Sequence, residues 1–365
     1  MNTLFHNYQD VPRTEGIKYA GSKLKILPYI LDTVSSLDVD TVMDGFSGST
    51  RVTQMFAHQG YNVISNDISA WSQTFATAYL LHDKPARYYQ ELIDHLNQSK
   101  GYEGWYSCYY GGTENSTEKR PFQLKNTMKL DAIRDEIDRL RLSAVDKAVA
   151  LTSLILALDA VDNTLGHYCS YLSGWCPRSY NDIVLKVPSF CPNLGRSKVY
   201  REDIFDLIGT EPCDLAYFDP PYGSNNEKMP SSRVRYNAYY HIWTSIILND
   251  KPEVFGKANR RVDSRDGVND SVFEAYRKDE DGHYTAMNAI RELIRKTDAK
   301  YILLSYSSGG RATKKDLCDI LQTEGSLIKC LEINYKTNVM GQMRWTNEWV
   351  NSDARTCEYL FLMRK

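Results

Sequence analysis

Short apolar runs alternate with longer amphipathic stretches along much of the chain. The run Thr41–Asp44 stops at a glycine-containing turn, residues 45–49, and an amphipathic stretch covers residues 50–59. This order predicts a strand, a turn and a helix. Further strands are predicted at the other short apolar runs, residues 61–66, 198–200, 214–218, 301–306, 327–335 and 358–363. Helices are predicted between several of these runs, at residues 22–36, 284–296 and 314–322.

The alternation of strands and helices indicates an α/β fold with a mainly parallel sheet, which places ligands at the carboxyl ends of the strands. One long segment breaks the alternation, because residues 70–195 are mostly of helical pattern, including residues 122–142 and 143–161. A helical insertion between strands explains this segment better than a continued series of βαβ units. A second segment, residues 223–281, is too long and too polar for an ordinary loop, so we expect it to carry function.

The composition agrees with a folded protein of two lobes. The chain has 365 residues, of which 42% are hydrophobic and 25% are charged, and these values argue against long disorder. The formal charge of -2 gives no sign of a polyanionic partner. Residues 228–235 and 257–265 nevertheless concentrate basic side chains, as a phosphate-contacting loop would. A solvated loop is the simpler explanation of either stretch alone.

Several classes of protein are disfavoured. The eight cysteines form no CxxC pair and no Cys/His ligand spacing, so the sequence predicts neither a metal site nor a disulfide framework. Residues 1–25 lack the apolar stretch of a secretory signal, and the apolar residues 150–161 are too few to span a bilayer and contain Asp159. We expect residues 150–161 to form a buried core helix, and we expect no membrane association and a location in the reducing cytoplasm.

The turn after the first strand has the composition of a nucleotide-binding turn. The small residues of Asp44-Gly45-Phe46-Ser47-Gly48 let a ligand approach the backbone, and the helix that follows offers unpaired N–H groups. A nucleophile elbow would need glycine where Ser49 stands. Asp67 follows the turn by roughly 20 residues, the spacing of an acid that binds ribose hydroxyls at the end of a second strand. A helix N-cap is the alternative role for Asp67.

The stretch Asp219-Pro220-Pro221-Tyr222 ends another predicted strand. An aspartate there points into the crevice at the strand ends, and the two prolines stiffen the turn while leaving their carbonyl oxygens without local N–H partners. An amino group on a heteroaromatic ring fits this arrangement. Asp219 can accept one N–H, the Pro220 carbonyl can accept the other, and Tyr222 can stack on the ring. A proline turn capped by a carboxylate is the alternative explanation.

The motifs and their order resemble those of the Dam-like, alpha-group DNA adenine-N6 methyltransferases. The resemblance is carried by four motifs in this order: Lys18-Tyr19-Ala20-Gly21-Ser22-Lys23, Asp44 to Gly48, Asn66-Asp67-Ile68 and Asp219 to Tyr222. Supporting matches are residues 240–246, 304–306 and 358–360. The chain departs from the commonest family pattern at Ser22, where a second glycine is usual, and at Gly45, where proline is frequent.

The resemblance implies a Rossmann-like methyltransferase sheet, mainly parallel with the last strand antiparallel. It assigns a catalytic domain to residues 1–70 and 196–365, a helical target-recognition insertion to residues 71–195, and an additional DNA-contacting loop region to residues 223–281. It further implies the transfer of a methyl group from S-adenosyl-L-methionine to N6 of an adenine that is flipped out of duplex DNA. Double-stranded DNA is the implied partner, and a cognate restriction endonuclease is a further candidate partner.

The resemblance also implies roles for individual residues. The implied catalytic residues are those of the Asp-Pro-Pro-Tyr motif, Asp219, Pro220, Pro221 and Tyr222. Contacts to S-adenosyl-L-methionine are implied for Tyr19, Lys23, Asp44, Phe46, Gly48, Asp67, Ile68, Asp203 and Asp219. No metal is required, because a sulfonium methyl donor can react by direct in-line displacement.

Two alternatives keep parts of this hypothesis. The same amino-group pocket could serve N4 of cytosine or a base in RNA, although aspartate at position 219 resembles the adenine enzymes and the long insertion favours duplex DNA. A catalytically silent nucleic-acid-binding module is the other alternative. The complete set Tyr19, Lys23, Asp67, Asp219 and Tyr222 argues against it. The sequence leaves the recognition site and the oligomeric state open.

Overall fold

The computed structural model describes residues 11–116, 120–223, 235–265, 271–334 and 357–365. Some predicted stretches fall partly outside this part of the chain. They are residues 228–234 of the first basic stretch, Tyr335 of a predicted strand, and residues 224–234 and 266–270 of the predicted loop region.

Seven strands within these described ranges form one central sheet. In chain order they are β1 Thr41–Asp44, β2 Asn62–Asn66, β3 Lys198–Tyr200, β4 Cys213–Phe218, β5 Ala299–Ser307, β6 Ser326–Asn334 and β7 Cys357–Arg364. Their order across the sheet is β6-β7-β5-β4-β1-β2-β3. Strands β1 to β5 pair in parallel, whereas β7 runs antiparallel to both of its neighbours, β5 and β6. The predicted mainly parallel sheet with an antiparallel last strand is confirmed.

The described residues contain twelve α-helices. They are α1 Leu27–Val34, α2 Arg51–His58, α3 Ala70–Leu81, α4 Ala86–Asn97, α5 Trp105–Tyr110, α6 Leu124–Arg139, α7 Ala144–Val161, α8 Ile204–Leu207, α9 Tyr236–Tyr239, α10 His241–Leu248, α11 Thr285–Lys296 and α12 Lys314–Glu324. Two pairs of two-residue strands lie outside the central sheet, Gly111–Gly112 with Phe122–Gln123 and Val254–Phe255 with Arg260–Arg261.

The helix predicted at residues 22–36 is divided in two. Lys23–Lys25 form a 3-10 turn, and α1 begins after Ile26. Pro28 lies in the first turn of α1, where its missing N–H costs no hydrogen bond, so the α-helix begins there. Lys23 is therefore carried on a turn ahead of the helix.

The long insertion is helical in its first part. Helices α3 to α7 occupy much of residues 70–161. Residues 162–197, all of which are described, contain a single 3-10 turn, Pro177–Tyr180, so the predicted helical pattern does not extend into this part. Gly166 and Gly174 disfavour a helix in this part, because glycine loses more backbone entropy than any other residue when it is ordered in a helix.

The insertion shares a hydrophobic core with the sheet. Val42 of β1 and Leu215 of β4 belong to the same buried cluster as Phe75 of α3 and Leu158 of α7. The next residue of β1, Met43, packs in a second cluster on the opposite face. Helix α7 is buried over most of its length, which confirms the expected core helix. None of the described helices has the length and apolarity needed to cross a lipid bilayer.

Arg261, in the second basic stretch, supports the fold of its own segment. Its side chain is buried, and its guanidinium pairs with both oxygens of Asp250 at 2.7 Å and with Asp263 at 2.8 Å. Two carboxylates already balance the positive charge of this guanidinium and occupy its N–H donors, so it is a poor partner for a phosphate. The expectation of a solvated or phosphate-contacting side chain is therefore wrong for Arg261.

Candidate active site

Three acidic residues of the predicted site meet at the carboxyl edge of the sheet. Asp44, the last residue of β1, is aligned with Ser65 of β2 and with Tyr217 of β4. Asp67 and Asp219 each follow their aligned residue by two positions along the chain. The three carboxylates therefore end neighbouring parallel strands on one side of the sheet, where α/β folds bind ligands.

A cavity of about 290 Å³ lies at this edge, near the lower end of the roughly 300–1,000 Å³ found for small-molecule sites. Every residue predicted to contact the cofactor lines it: Tyr19, Lys23, Asp44, Phe46, Gly48, Asp67, Ile68, Asp203 and Asp219. Of the predicted catalytic residues, Asp219 and Pro221 line the cavity. Pro220 is buried and Tyr222 is half-buried in the turn that they share.

Glycines set the shape of the turn between β1 and α2. Gly48 has a φ of +48°, and a Cβ atom there would lie 3.1 Å from the Tyr19 ring. A Cβ atom on Gly45 would lie 2.7 Å from the Phe218 ring. The absence of a side chain at Gly45 therefore makes room for the Phe218 ring. Position 22, where the family usually has glycine, does not require it here, because the φ of -53° at Ser22 is open to any L-residue.

Asp67 is held by backbone N–H groups from two directions. Its Oδ2 accepts a hydrogen bond from Gly48 N and its Oδ1 accepts one from Ser69 N, both at 2.8 Å. Ser69, rather than Asp67, is the N-cap residue of α3, so the alternative capping role is wrong. Burial raises the pKa of Asp67, and the two N–H groups partly oppose this rise. The side chain of Ile68, next to Asp67, is 69% exposed although it lines the cavity.

Asp44 keeps one buried oxygen in need of a partner. Its Oδ2 accepts a hydrogen bond from Thr53 Oγ1 of α2 at 2.6 Å. No donor within the described residues reaches its Oδ1, and the side chain is buried. Burial raises the pKa of Asp44 to about 7. A donor on a ligand in the cavity would satisfy this oxygen and remove the cost of leaving it unpaired.

Lys23 pairs with two carboxylates at once. Its Nζ lies 2.9 Å from Oδ1 of Asp219 and 2.8 Å from Oε1 of Glu358. Burial opposes the charge on Lys23, but the two carboxylates together hold the pKa of its ammonium well above the usual value. Burial raises the pKa of Asp219 to about 7, against the opposing pull of Lys23. The predicted cofactor contact Lys23 is thus also the ion-pair partner of the predicted catalytic carboxylate.

The turn after β4 offers acceptors and an aromatic ring together. No donor in the described part of the chain reaches the carbonyl oxygen of Pro220. The Tyr222 carbonyl accepts a hydrogen bond from Arg311 N at 2.9 Å, which anchors the turn. The Tyr222 ring lies 5.6 Å from the Tyr306 ring at 58°, and Lys23 Nζ is 5.6 Å from the Tyr222 ring centroid. The structure therefore keeps the carboxylate, the carbonyl and the ring within one short turn.

Tyr19 and Asp203 complete the predicted set. The Tyr19 ring stacks on Tyr236 at 5.3 Å and on Tyr240 at 4.8 Å between ring centroids. Tyr240 belongs to the supporting match at residues 240–246 and so connects α10 with the first motif. Asp203 is the N-cap of α8, where it accepts a hydrogen bond from Phe205 N at 2.9 Å. This capping role accounts for Asp203 even without a ligand.

The sequence did not identify several residues of the cavity and its surroundings. Ser271, Val272 and Phe273 line the cavity, and the Phe273 ring meets the Phe46 ring edge-on at 5.3 Å. Their segment has no periodic pattern that would have placed it there. Glu358 lies in the supporting match at residues 358–360, which predicted no role for it. A signal was present, since Glu358 is a charged residue near the start of a strand whose following residues are mainly apolar.

The parallel sheet, the antiparallel β7 and the cavity at the ends of β1, β2 and β4 together define a Rossmann-like methyltransferase fold. Residues 19–307 match the model of the family described as D12 class N6 adenine-specific DNA methyltransferase. The match covers most of the chain, and the chain belongs to this family. It confirms the resemblance that the order of the motifs indicated.

Curated relatives are about a quarter identical to the chain over the residues that align. The type II methyltransferase M.FokI of Planomicrobium okeanokoites is 26% identical over 372 residues, which cover 96% of this chain and 53% of the relative. The modification methylase StsI of Streptococcus sanguinis is 27% identical over 370 residues, 96% of this chain and 52% of the relative. The type II methyltransferase M.NlaIII of Neisseria lactamica is 27% identical over 364 residues, 96% of this chain and 99% of the relative. The chain spans about half the length of the first two relatives and nearly all of the third.

Proposed function

We propose that the chain is a site-specific DNA methyltransferase that transfers a methyl group from S-adenosyl-L-methionine to N6 of an adenine in duplex DNA. The turn after β4 supports this most strongly. The Asp219 carboxylate lines the cavity, and the neighbouring Pro220 carbonyl has no donor within the described residues. Two acceptors on consecutive residues match in number the two N–H groups of an exocyclic amine. The Tyr222 ring adds a face on which a base can stack.

S-adenosyl-L-methionine suits the cavity beside this turn. The unsatisfied Oδ1 of Asp44 calls for a donor such as an ammonium or a hydroxyl. Asp67 follows a second strand, as an acid that binds a ribose diol does, and the exposed Ile68 offers apolar surface to a purine ring. When bound, the cofactor supplies an electrophilic methyl group on a sulfonium centre. Tyr19, Phe46, Gly48 and Asp203 are the remaining residues that we assign to its contacts.

The groups of the chain itself act by positioning and by charge. The lone pair of adenine N6 is delocalised into the ring, so positive charge must grow on that nitrogen as it forms the new bond. Asp219 and the Pro220 carbonyl place preorganised negative charge next to it, which stabilises the transition state more than the ground state. Holding the amine in line with the methyl group supplies the rest of the rate enhancement.

The adenine must leave the base stack to reach Asp219, which costs a few kcal/mol. Stacking on Tyr222, worth about 1–3 kcal/mol per base, offsets part of this cost. We assign the catalytic domain to residues 1–70 and 196–365, target recognition to residues 71–195, and further DNA contacts to residues 223–281. The core that α7 shares with β1 and β4 supports this division of labour, because it fixes the insertion relative to the cavity.

A cognate restriction endonuclease is the partner we propose besides DNA. The relatives named as type II methyltransferases and as a modification methylase support this proposal. In such a pair, methylation of the recognition site would protect it from cleavage. The prediction is that genomic DNA from cells expressing the chain resists an endonuclease that cuts DNA from cells without it.

A labelling experiment tests the reaction. Unmethylated genomic DNA is incubated with the protein and with S-adenosyl-L-methionine carrying a deuterated methyl group, then digested to nucleosides and analysed by mass spectrometry. We expect the label in N6-methyladenine. Asp219→Asn should lower the rate by about 10²-fold or more, because it removes a preorganised negative acceptor.

Asp214→Asn provides the matched control. It makes the same substitution on β4, at the end of the strand away from the cavity, where Asp214 accepts hydrogen bonds from Asp40 N and Thr41 N at 2.9 Å. It should methylate like the wild type. Label in N4-methylcytosine would show that the substrate is cytosine, and label in RNA alone would show that the substrate is RNA. Either result would refute the proposed methylation of adenine in DNA. DNA binding without label in any nucleoside would indicate the silent module.

A further inference from the structure

Glu358 shares the cation that pairs with Asp219. Lys23 Nζ lies between the two carboxylates, at 2.9 Å from Asp219 and 2.8 Å from Glu358. The Oε1 atom of Glu358 that contacts Lys23 also accepts a hydrogen bond from Ser305 Oγ of β5 at 2.8 Å. Lys23 and Glu358 are both buried. The charges thus form a row, Asp219-Lys23-Glu358, that runs from the cavity wall into the core.

The stability of β7 does not explain why a carboxylate is buried at this position. The residues that follow Glu358 on the strand are mainly apolar, and an apolar side chain would avoid the cost of taking a charge out of water. Glu358 is not among the residues that line the cavity, so it acts on a ligand there only through another residue. Lys23 can transmit such an effect, because it contacts Glu358 and also lines the cavity.

We propose that Glu358 is a positioning residue for methyl transfer, which draws the Lys23 ammonium toward itself so that Asp219 keeps enough negative charge to accept a hydrogen bond from the adenine amino group. One cation shared by two anions neutralises neither of them completely. Without the charge of Glu358, the whole attraction of Lys23 would fall on Asp219 and weaken it as an acceptor. This inference rests on the proposed function and adds a residue to it.

Other titratable groups surround the row. They are Tyr217 on β4, Tyr222 on the following turn, Tyr236 on α9, Tyr19 ahead of the 3-10 turn and Asp44 on β1. Burial raises the pKa of Tyr19, Tyr217 and Tyr236 well above its usual value, so these three side chains stay neutral near pH 7. Burial also raises the pKa of Asp44 to about 7. Asp44 is assigned to the cofactor. When S-adenosyl-L-methionine is saturating, Asp44 stays in the protonation state that binds the cofactor, so the pH dependence that is left reports on Asp219.

The test measures single-turnover methyl transfer to DNA against pH with S-adenosyl-L-methionine saturating. Glu358→Gln keeps an oxygen that can accept from Lys23 and Ser305 but removes the negative charge. The pKa of Asp219 should then fall, so the acid limb of the profile should move to lower pH by about half a unit or more. The plateau rate should fall several-fold, because Asp219 becomes a weaker acceptor.

Glu332→Gln is the matched control. Glu332 lies on the neighbouring strand β6, half exposed, and pairs with Lys314 at 3.2 Å. Its substitution removes the same charge from the same sheet without touching Lys23. We expect its profile to coincide with that of the wild type.

A double variant provides a shift of the opposite sign for comparison with Glu358→Gln. Lys23→Met with Glu358→Gln removes a buried cation together with its anion, so no unpaired partner of Glu358 is left in the core. Asp219 loses its cation, and the acid limb should move to higher pH. Shifts in opposite directions cannot come from lost packing alone.

Two results would overturn the inference. One is that both variants keep the acid limb of the wild type. The other is that Glu358→Gln lowers only the melting temperature and leaves the profile unchanged. A wild-type protein that transfers no methyl group would instead refute the proposed function, so the two failures are distinguishable.

Discussion

Gly48 donates its backbone N–H to Oδ2 of Asp67 at 2.8 Å, which joins the turn after β1 to the residue that follows β2. Ser69 N holds the other oxygen of the same carboxylate. Both oxygens are therefore fixed in direction by backbone groups, yet each can accept a second hydrogen bond. A carboxylate held in this way is preorganised for a ligand with two donors.

Asp67→Ala should raise the dissociation constant of S-adenosyl-L-methionine by about 10- to 150-fold, because a hydrogen bond to a charged group is worth about 1.5–3 kcal/mol. Isothermal titration calorimetry measures this change. Asp67→Asn, which retains one acceptor oxygen, should show a smaller loss, and DNA affinity should change little in either variant. An unaltered cofactor affinity would confine Asp67 to supporting the turn.

Tyr222 should act through the face of its ring. Tyr222→Phe keeps the ring and should retain most of the methylation rate, whereas Tyr222→Ala loses a stacking contact worth about 1–3 kcal/mol, a rate loss of about 5- to 150-fold. The rates are measured under single-turnover conditions on duplex DNA. Equal impairment of the two variants would show that the hydroxyl or a packing role matters instead.

The DNA substrate offers a second check on Tyr222. A target adenine opposite an abasic site leaves the stack at lower cost. Such a duplex should partly rescue Tyr222→Ala and hardly affect the wild type. If it rescues neither protein, base stacking on Tyr222 is not the step that the substitution impairs.

The wild-type methylation rate should rise as the pH increases through about 7. Burial raises the pKa of Asp219 to about 7, and only the ionised carboxylate accepts a hydrogen bond from the amine through either oxygen. Below this pH the protonated form should predominate and the rate should fall. A single-turnover rate that stays constant from pH 5.5 to pH 8.5 would contradict this role.

Asp44→Asn should stabilise the protein at pH 8 and weaken its binding of the cofactor. Burial raises the pKa of Asp44 from its usual 3.8 to about 7, so the unfolded chain loses this proton first and the folded state loses stability as the pH rises from about 4 to about 7. Asparagine carries no charge and can still accept from Thr53. The melting temperature of the variant should exceed that of the wild type at pH 8, by about 2 °C for each kcal/mol gained.

The same comparison at pH 4 serves as the control for Asp44→Asn. Asp44 is mostly protonated there in the folded state, so the difference in melting temperature should shrink. An advantage of the variant that is equally large at both pH values would mean that charge is not its cause.

Apolar runs predicted the sheet well, because a buried parallel strand needs a continuous apolar segment. Strand β1 has its predicted bounds, and the strand predicted at residues 301–306 extends from Ala299 to Ser307. Asp44, Asp67 and Asp219 lie at one cavity because each ends or follows a strand, and parallel strands bring these ends to one edge. The main misplacement, in residues 162–197, concerns a segment whose conformation depends on its contacts with other parts of the chain.

Pairs that depend on register or on irregular segments were beyond sequence reasoning. Glu358 meets Lys23 only because antiparallel pairing sets β7 beside β5 and brings the start of β7 to the carboxyl edge. Phe273 reaches the cavity through a segment without periodicity. Arg261 was visible as a basic residue, but its neutralisation by Asp250 follows from tertiary contacts. Local pattern predicts elements, whereas these partners are set by topology.

The place of β7 between β5 and β6 sets an order on folding during synthesis. A ribosome adds residues 326–334 before residues 357–364, so β6 emerges before β7, the strand with which it pairs. Until β7 arrives, β5 presents an open edge to solvent, a hazard for aggregation of the nascent chain. Glu358 arrives with the same strand, so Lys23 gains its second counter-ion at that moment. The arrival of β7 therefore completes the sheet and balances the charge beside Asp219 in the same step. A chain stalled on the ribosome before residue 357 would lack both the completed sheet and this charge balance.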